Sequence, residues 1–415
     1  MLFRRESIVL FKTIEKDPAI EFIIWTCVSY NFLLGIINTH ILPVGNGVVV
    51  ILDAMCVLFA LLIVLKFRND VSERWLTILW LLLCIHFVIA LINLQIKPKY
   101  LRDLMIIPIF IALGSLYSGN EFRLIKRILI FVLIVGFCEA FFLEFYTMII
   151  NVKQYYISTR GVVEDNFYSE GVDLFVSAMR PGDRFIPFFD MHRVSSVFLE
   201  PVSAGNYTIF IAIYTAANWG RLKPNDKIFF LTSWFLLLAF SDSRFAFACS
   251  GLIFISYFFR RKVFDSLYFF LLPFILILLF YFTFTFDLQV DDNFKGRLAK
   301  AVHLLYEMNM SEFLFGNMSS FRGWDCGLVY YIMSQSAFSF IFLWGVLFLT
   351  TPRNENEIFM VFRNGLCIYL TLILLISYSS FSIKTAALFF FLYGYYLNNQ
   401  YPLIATTKSE EVVHE

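Results

Sequence analysis

The sequence predicts an all-α polytopic membrane protein of about twelve transmembrane helices, with both termini cytoplasmic and two large outer loops. Three observations predict it. Of 415 residues, 59% are hydrophobic and 16% are charged, and mean hydropathy is +0.73, which leaves too little polar surface to clothe a soluble globule of this size. Apolar runs long enough to cross a bilayer recur along the chain. Lys and Arg gather in alternate connections, as they do on the cytoplasmic side of a membrane. The net charge of +1 gives no reason to expect nucleic acid as a partner.

Expected spans lie at 19–39, 47–66, 75–95, 101–119, 128–150, 202–218, 227–243, 245–260, 266–286, 325–350, 364–379 and 381–398. Inner connections hold Lys66, Arg68 and Arg74; Arg123, Lys126 and Arg127; Arg221, Lys223 and Lys227; Arg260, Arg261 and Lys262; and Arg353 and Arg363. Short outer segments hold only Lys97, Lys99, Arg102, Arg244 and Lys384. Arg4, Arg5, Lys12 and Lys16 precede no short apolar segment with a cleavage site, so the first eighteen residues read as a retained cytoplasmic tail rather than a signal peptide. Six of the seven cysteines fall inside apolar runs as small core hydrophobes, with Cys326 at an outer boundary.

Two outer segments are long. Residues 151–200 carry Arg160, Arg180, Arg184 and Arg193, with turn signals at Pro181-Gly182 and Pro187, and read as a folded loop. In 287–324, Phe294, Leu298, Ala301, Val302, Leu305 and Met308 recur at helical spacing. This amphipathic helix, flanked by Lys295, Arg297 and Lys300, is expected to lie along the membrane surface.

The stretch HRVSSVFLEPVSAG, from His192 to Gly205, packs an arginine, serines, a carboxylate and a proline into one polar-to-apolar boundary. Arg193 offers a planar fork suited to phosphate oxygens. Pro201 can open the next helix, whose first-turn amides at Ser203 to Asn206 would favour an anion. A headgroup-facing arginine above an ordinary helix start explains the same residues. Charges in or near spans are costly, about 2.5–3.5 kcal/mol on insertion scales, so each is a functional candidate. Arg244 lies in Ser241-Asp242-Ser243-Arg244 between two spans with almost no loop, although an Asp242–Arg244 turn pair accounts for it too. Glu139 and Glu144 lie about 140° apart on a helix and form no carboxylate pair. Each suits a single buried acid bonded to a neighbouring helix better than a proton relay. Asp53 is near enough to the outer end of its span to support an outer cavity. In Phe321-Arg322-Gly323-Trp324-Asp325-Cys326-Gly327, Asp325 caps a helix or orients a sugar hydroxyl, and Trp324 offers a platform for a sugar ring. No histidine cluster has metal-ligand spacing, and no phosphate-binding loop, dinucleotide fingerprint or serine-nucleophile motif occurs.

Three stations together resemble the bacterial O-antigen polymerase and ligase family: RVSSVFLEPVSAG, FSDSRFAFACSGLIF, and LFGNMSSFRGWDCGLVYYIMSQSAFSFIFLWG. Family members look like Arg-x-Ser-x-Phe-x-Glu-Pro at the first, Ser-Arg before small and apolar residues at the second, and Leu-Phe-Gly then Asp-x-Gly at the third. The resemblance implies a fold similar to lipid-linked glycosyltransferases of the GT-C class. It also implies an undecaprenyl-pyrophosphate-linked oligosaccharide as substrate, no cofactor, no obligatory metal, and a place in the bacterial plasma membrane beside membrane lipid and a chain-length regulator protein. By position, Arg193 and Arg244 match the arginines that hold the lipid pyrophosphate, with Glu200 beside them. Arg297, Arg322, Trp324, Ser243 and Ser196 are added as substrate-binding candidates, and Glu200 and Asp325 compete for the base. Ligases place a His-Asn pair where this chain has Asp325-Cys326, which favours a polymerase. Ser336-Ala337 replaces a glycine usual at that point. Arg160 and Gly171 meet an Arg-x10-Gly spacing that chance also supplies in such a composition, and it carries no weight.

The leading expectation is therefore a polymerase joining lipid-linked repeat units of an O-antigen, capsule or exopolysaccharide. The alternatives are a ligase passing finished glycan to another acceptor, and a flippase or transporter of the lipid-linked unit. Arginines concentrated at the outer boundary favour outer-face chemistry over a central channel.

Overall fold

The computed structural model describes residues 15–70, 73–161, 174, 178, 184–186, 191–259, 266–291, 294–319, 326–351 and 356–399. These are all-helical, with 82% helix and no strand among them. In order the helices are α1 (Lys16–His40), α2 (Asn46–Lys66), α3 (Glu73–Ile92), α4 (Pro98–Leu116), α5 (Glu121–Phe141), α6 (Leu143–Ile149), α7 (Val152–Arg160), α8 (Pro201–Asn218) and α9 (Pro224–Ser241). They continue as α10 (Arg244–Phe259), α11 (Ser266–Phe269), α12 (Leu271–Thr285), α13 (Phe294–Tyr306), α14 (Met310–Phe315), α15 (Gly327–Gln335), α16 (Ala337–Phe348), α17 (Glu357–Ile376) and α18 (Ile383–Asn398). The tail cations Arg4, Arg5 and Lys12, together with Gly171, Arg180, Pro181-Gly182, Pro187, Arg260 to Lys262, Arg322, Trp324, Asp325 and Arg353, lie outside the described residues.

The centre is the crossing of α4 and α18. A Cβ on Gly114 would sit 1.9 Å from the Phe391 carbonyl oxygen, and one on Gly394 would sit 1.9 Å from that of Ile111. Only glycine lets the two backbones touch, the small-residue contact by which membrane helices associate when apolar burial gives no advantage over lipid. Every residue of α18 from Ile383 to Tyr396 is buried, as is nearly all of α8. Helices enclosed by protein need not be as apolar as those facing lipid, so α8 carries Ser203, Asn206, Thr208 and Thr215. Around this core, α2, α3, α10 and α12 expose large apolar side chains, among them Leu91, Phe258 and Ile277. In water such a surface would aggregate, whereas in lipid it is the expected outer face.

A helix occupies each of the twelve expected stretches, but among the described residues four helices are by themselves long and apolar enough to cross a membrane: α1, α2, α3 and α17. Two bent pairs raise the number to six, and both correct an expected continuous span. The stretch 128–150 breaks at Phe142, where α6 turns from α5 by 116°. This lays α6 across the end of α1, where His40 Nε2 meets the Ile149 carbonyl at 3.0 Å and Asn151 N donates to Thr39 Oγ1 at 2.8 Å. The stretch 325–350 breaks at Ser336, with the same 116° between α15 and α16. Ser336 adopts φ 90°, a conformation glycine takes without strain, and its hydroxyl accepts from Ser339 N at 3.2 Å to start α16.

Two smaller expectations also change. In α13, Ala301 and Val302 are buried and Leu298 and Leu305 pack against the core, as does Met308 just beyond its end, but Phe294 is exposed, with Gly296 and Ala299 completing the inner face. Cys326 is buried like most of the cysteines, and Cys84 is the exposed one.

Candidate functional site

The loop before α8 is shaped by one buried carboxylate. Glu139, on the last turn of α5, has no exposed surface. Its oxygens accept from Ser195 N at 2.9 and 3.1 Å, Ser195 Oγ at 2.9 Å and Ser196 N at 2.5 Å, and His192 Nε2 lies 3.6 Å away. Charge-assisted bonds to backbone amides are the strong kind, and here they replace the water that this carboxylate gives up. The acid is thus a single buried, bonded carboxylate, but its partner is the loop before α8 rather than the neighbouring helix its position suggested. Ser196 has φ 52° and Leu199 φ 58°, so the segment is tightly wound, and Tyr146 OH reaches the Ser196 carbonyl at 3.2 Å. The Ser196 hydroxyl donates to the Val132 carbonyl at 2.6 Å and is buried, so this serine holds the loop in place rather than facing a ligand.

The same loop runs beside the α9–α10 hairpin. Val194 N donates to the Phe240 carbonyl at 2.8 Å, and Arg193 Nε donates to that of Ser241 at 2.9 Å. Arg193 is therefore aimed at the hairpin that carries Arg244. Asp242, in the left-handed region at φ 46°, does not pair with Arg244. It accepts from Phe185 N at 3.3 Å and Ile186 N at 3.2 Å and lies 3.9 Å from Arg184 Nε. Arg184 in turn donates to the carbonyls of Met191, His192 and Ala239. Arg244 is exposed and has no side-chain hydrogen-bond or ion-pair partner among the described residues. Ser243 accepts from Ala246 N at 3.1 Å, capping α10, and its Oγ lies 2.9 Å from where a Gly205 Cβ would be. That close approach presses the start of α8 against the hairpin.

Pro201 opens α8 as its position suggests, but the amides of Ser203 and Ala204 both donate to the Glu200 carbonyl, at 3.1 and 3.2 Å. The anion at this helix start is Glu200 itself. Its carboxylate lies 3.3 Å from Arg160 Nη2, 3.7 Å from Lys384 Nζ and 3.4 Å from Ser203 Oγ. Burial pushes the carboxyl up, but the charges of Arg160 and Lys384, with bonds from Arg160 and Ser203, outweigh that and hold it at about 2. A group this acidic is a strong anion and a weak proton acceptor. Lys384 also donates to the Phe198 carbonyl at 3.2 Å, and Arg160 lies 4.4 Å from the centroid of the Tyr156 ring.

The structure thus brings together Arg193, Glu200, Ser243 and Arg244 at one end of α8, α9 and α10. Arg160, set aside with its Arg-x10-Gly spacing, and Lys384, named only as an outer cation, join them, because their partner Glu200 lies 40 and 184 positions away in sequence. Arg297 lies on α13, a separate element, while Arg322, Trp324 and Asp325 fall outside the described residues. Asp53 pairs with Arg102, which also holds Asp103 at 2.6 Å, and Tyr330 OH donates to Asp103 at 2.5 Å. No three His, Cys, Asp or Glu side chains gather among the described residues. No protein-family model matches the chain, and no curated protein or solved structure matches it either.

Proposed function

We propose that this chain is a polysaccharide polymerase that joins lipid-pyrophosphate-linked oligosaccharide repeat units at the outer face of a bacterial plasma membrane, spanning it about twelve times with both ends inside. The observation that carries the reading is the convergence of Arg193 and Arg244 on one hairpin, with Glu200, Arg160 and Lys384 beside them at the start of α8. An acceptor sugar hydroxyl attacks the anomeric carbon of the donor, and the bond from that carbon to the pyrophosphate oxygen breaks. The lipid pyrophosphate leaves while the hydroxyl proton passes to a carboxylate. Negative charge grows on the leaving group, and arginines stabilise it with no risk of deprotonation. Glu200, held ionised by two cations, suits fixing those cations in place, which leaves Asp325 as the favoured base.

The test supplies the purified protein with one synthetic undecaprenyl-pyrophosphate repeat unit as both donor and acceptor and separates products by size. Wild type is expected to yield a ladder that needs no added metal. Arg193→Ala and Arg244→Lys are expected to lower turnover by about 100-fold, the usual scale for loss of one oxyanion donor, because lysine keeps the charge and loses the fork. No ladder from the native substrate sinks the proposal. Transfer to a different added acceptor points to a ligase, and passage of intact substrate across a vesicle points to a transporter.

A further inference from the structure

At the opposite end of α8 lies a second group of charges that the proposed reaction does not use. α8 has 18 residues, so its ends are about 27 Å apart, close to the thickness of a bilayer core. Where it gives way to α9, a cavity of ≈ 170 Å³ is lined by Glu121, Phe122, Asn218, Arg221, Lys223 and Asp226. A single water needs about 10–15 Å³ on this measure, so the space takes a group several times larger.

We propose that this cavity binds the phosphate headgroup of an anionic phospholipid. The two carboxylates that line it are each matched by a cation: Glu121 accepts from Arg221 Nη1 at 3.2 Å and from Tyr395 OH at 2.9 Å, and Asp226 accepts from Lys126 Nζ at 2.8 Å. Among the described residues Lys223 has no ion-pair partner, and with Lys126 counted beside the lining, three cations face two carboxylates. Lys223 also precedes the first turn of α9, an 18-residue helix with no side-chain cap, so unsatisfied amides add to the positive potential. Arg123, Arg127 and Lys227 stand close by in sequence. Around the rim, Lys227 lies 4.9 Å from the centroid of the Trp219 ring and Lys126 lies 5.1 Å from that of Phe229. Such cation–aromatic pairs suit the headgroup layer, where one side of a residue is wet and the other apolar. A basic pocket between helices at the membrane surface is the kind that selects anionic lipid.

The full-length chain, purified in neutral detergent, is to be melted with added short-chain phosphatidylglycerol, with phosphatidylcholine of the same chain length, and with inorganic phosphate. Phosphatidylglycerol is expected to raise the melting midpoint by several degrees and phosphatidylcholine to leave it unchanged. Lys223→Ala is expected to weaken the apparent affinity for phosphatidylglycerol about five-fold, whereas Arg123→Ala, on an exposed side chain absent from the lining, leaves it as in wild type. Lys223 is exposed, so its variant is expected to melt like wild type without lipid. Equal responses to the two lipids overturn the proposal, and so does an unchanged response in Lys223→Ala. An equal shift with inorganic phosphate alone assigns the cavity to a free anion and rejects the lipid.

Discussion

The loop 191–200 and the hairpin 241–244 each present one arginine and hold it in opposite ways. Arg193 is embedded: its Nε donates to Ser241, its backbone N donates to the Ala178 carbonyl, and Glu139 binds the two residues that follow Val194. Arg244 is exposed and without a side-chain partner among the described residues, although Asp242 and Ser243 just before it are tied down. One guanidinium is placed by the protein before any ligand arrives, and the other is available to reach for it. Under the proposed reaction, a site that holds a leaving pyrophosphate and then releases it gains from having one of each, since two mobile clamps would lose ordering entropy at each turnover.

The largest expected effect breaks the embedded side. Glu139→Ala leaves two buried backbone N–H groups and the Ser195 hydroxyl unpaired, and is expected to destabilise the protein by roughly 3–5 kcal/mol in thermal unfolding. A melting point within a degree of wild type contradicts the anchoring role. An intermediate effect is expected at Glu200. Glu200→Gln keeps the shape and removes the charge that faces Arg160 and Lys384, at a cost of about 1–3 kcal/mol at neutral pH. Since the Glu200 carboxyl is held at about 2 against an ordinary 4.5, its contribution is full above pH 4.5 and is lost as pH falls towards 2. The gap between variant and wild type is therefore expected to stay constant from pH 7 to pH 5 and to shrink below that. A gap that instead widens as pH falls from 7 to 5 indicates a carboxyl held above its ordinary value in the folded protein and restores Glu200 as a candidate base. The smallest stability effect belongs to the hairpin: Arg244→Ala is expected to change unfolding by less than about 0.5 kcal/mol while still losing turnover.

How much of this was legible depended on whether the signal was local. Helical class and lipid-facing surface follow from composition and periodicity, which many residues repeat. Pro201 at the start of α8 and the short Ser241-to-Arg244 turn are local as well, and the structure places both as expected. Glu139, Arg160 and Lys384 owe their roles to partners far away in the chain, and a lone charge in an apolar run does not name its partner. The two breaks differ in kind. Phe142 has no proline or glycine to mark it, and tertiary packing of α6 on α1 decides the turn. Ser336 stands where the resemblance expects a glycine, and the chain takes a glycine-like φ of 90° there all the same.

The glycine crossing has a consequence for how the molecule comes together. α4 and α18 touch backbone to backbone, yet Gly114 and Gly394 stand 280 positions apart in the chain (394 − 114). During synthesis every intervening helix enters the membrane before the central contact can close, and contacts so far apart in sequence are slow to form. α18 also carries Lys384, the cation that meets Glu200 and the Phe198 carbonyl. Docking of that helix therefore completes the core and the charge cluster around Glu200 in one event, so a half-assembled chain has neither.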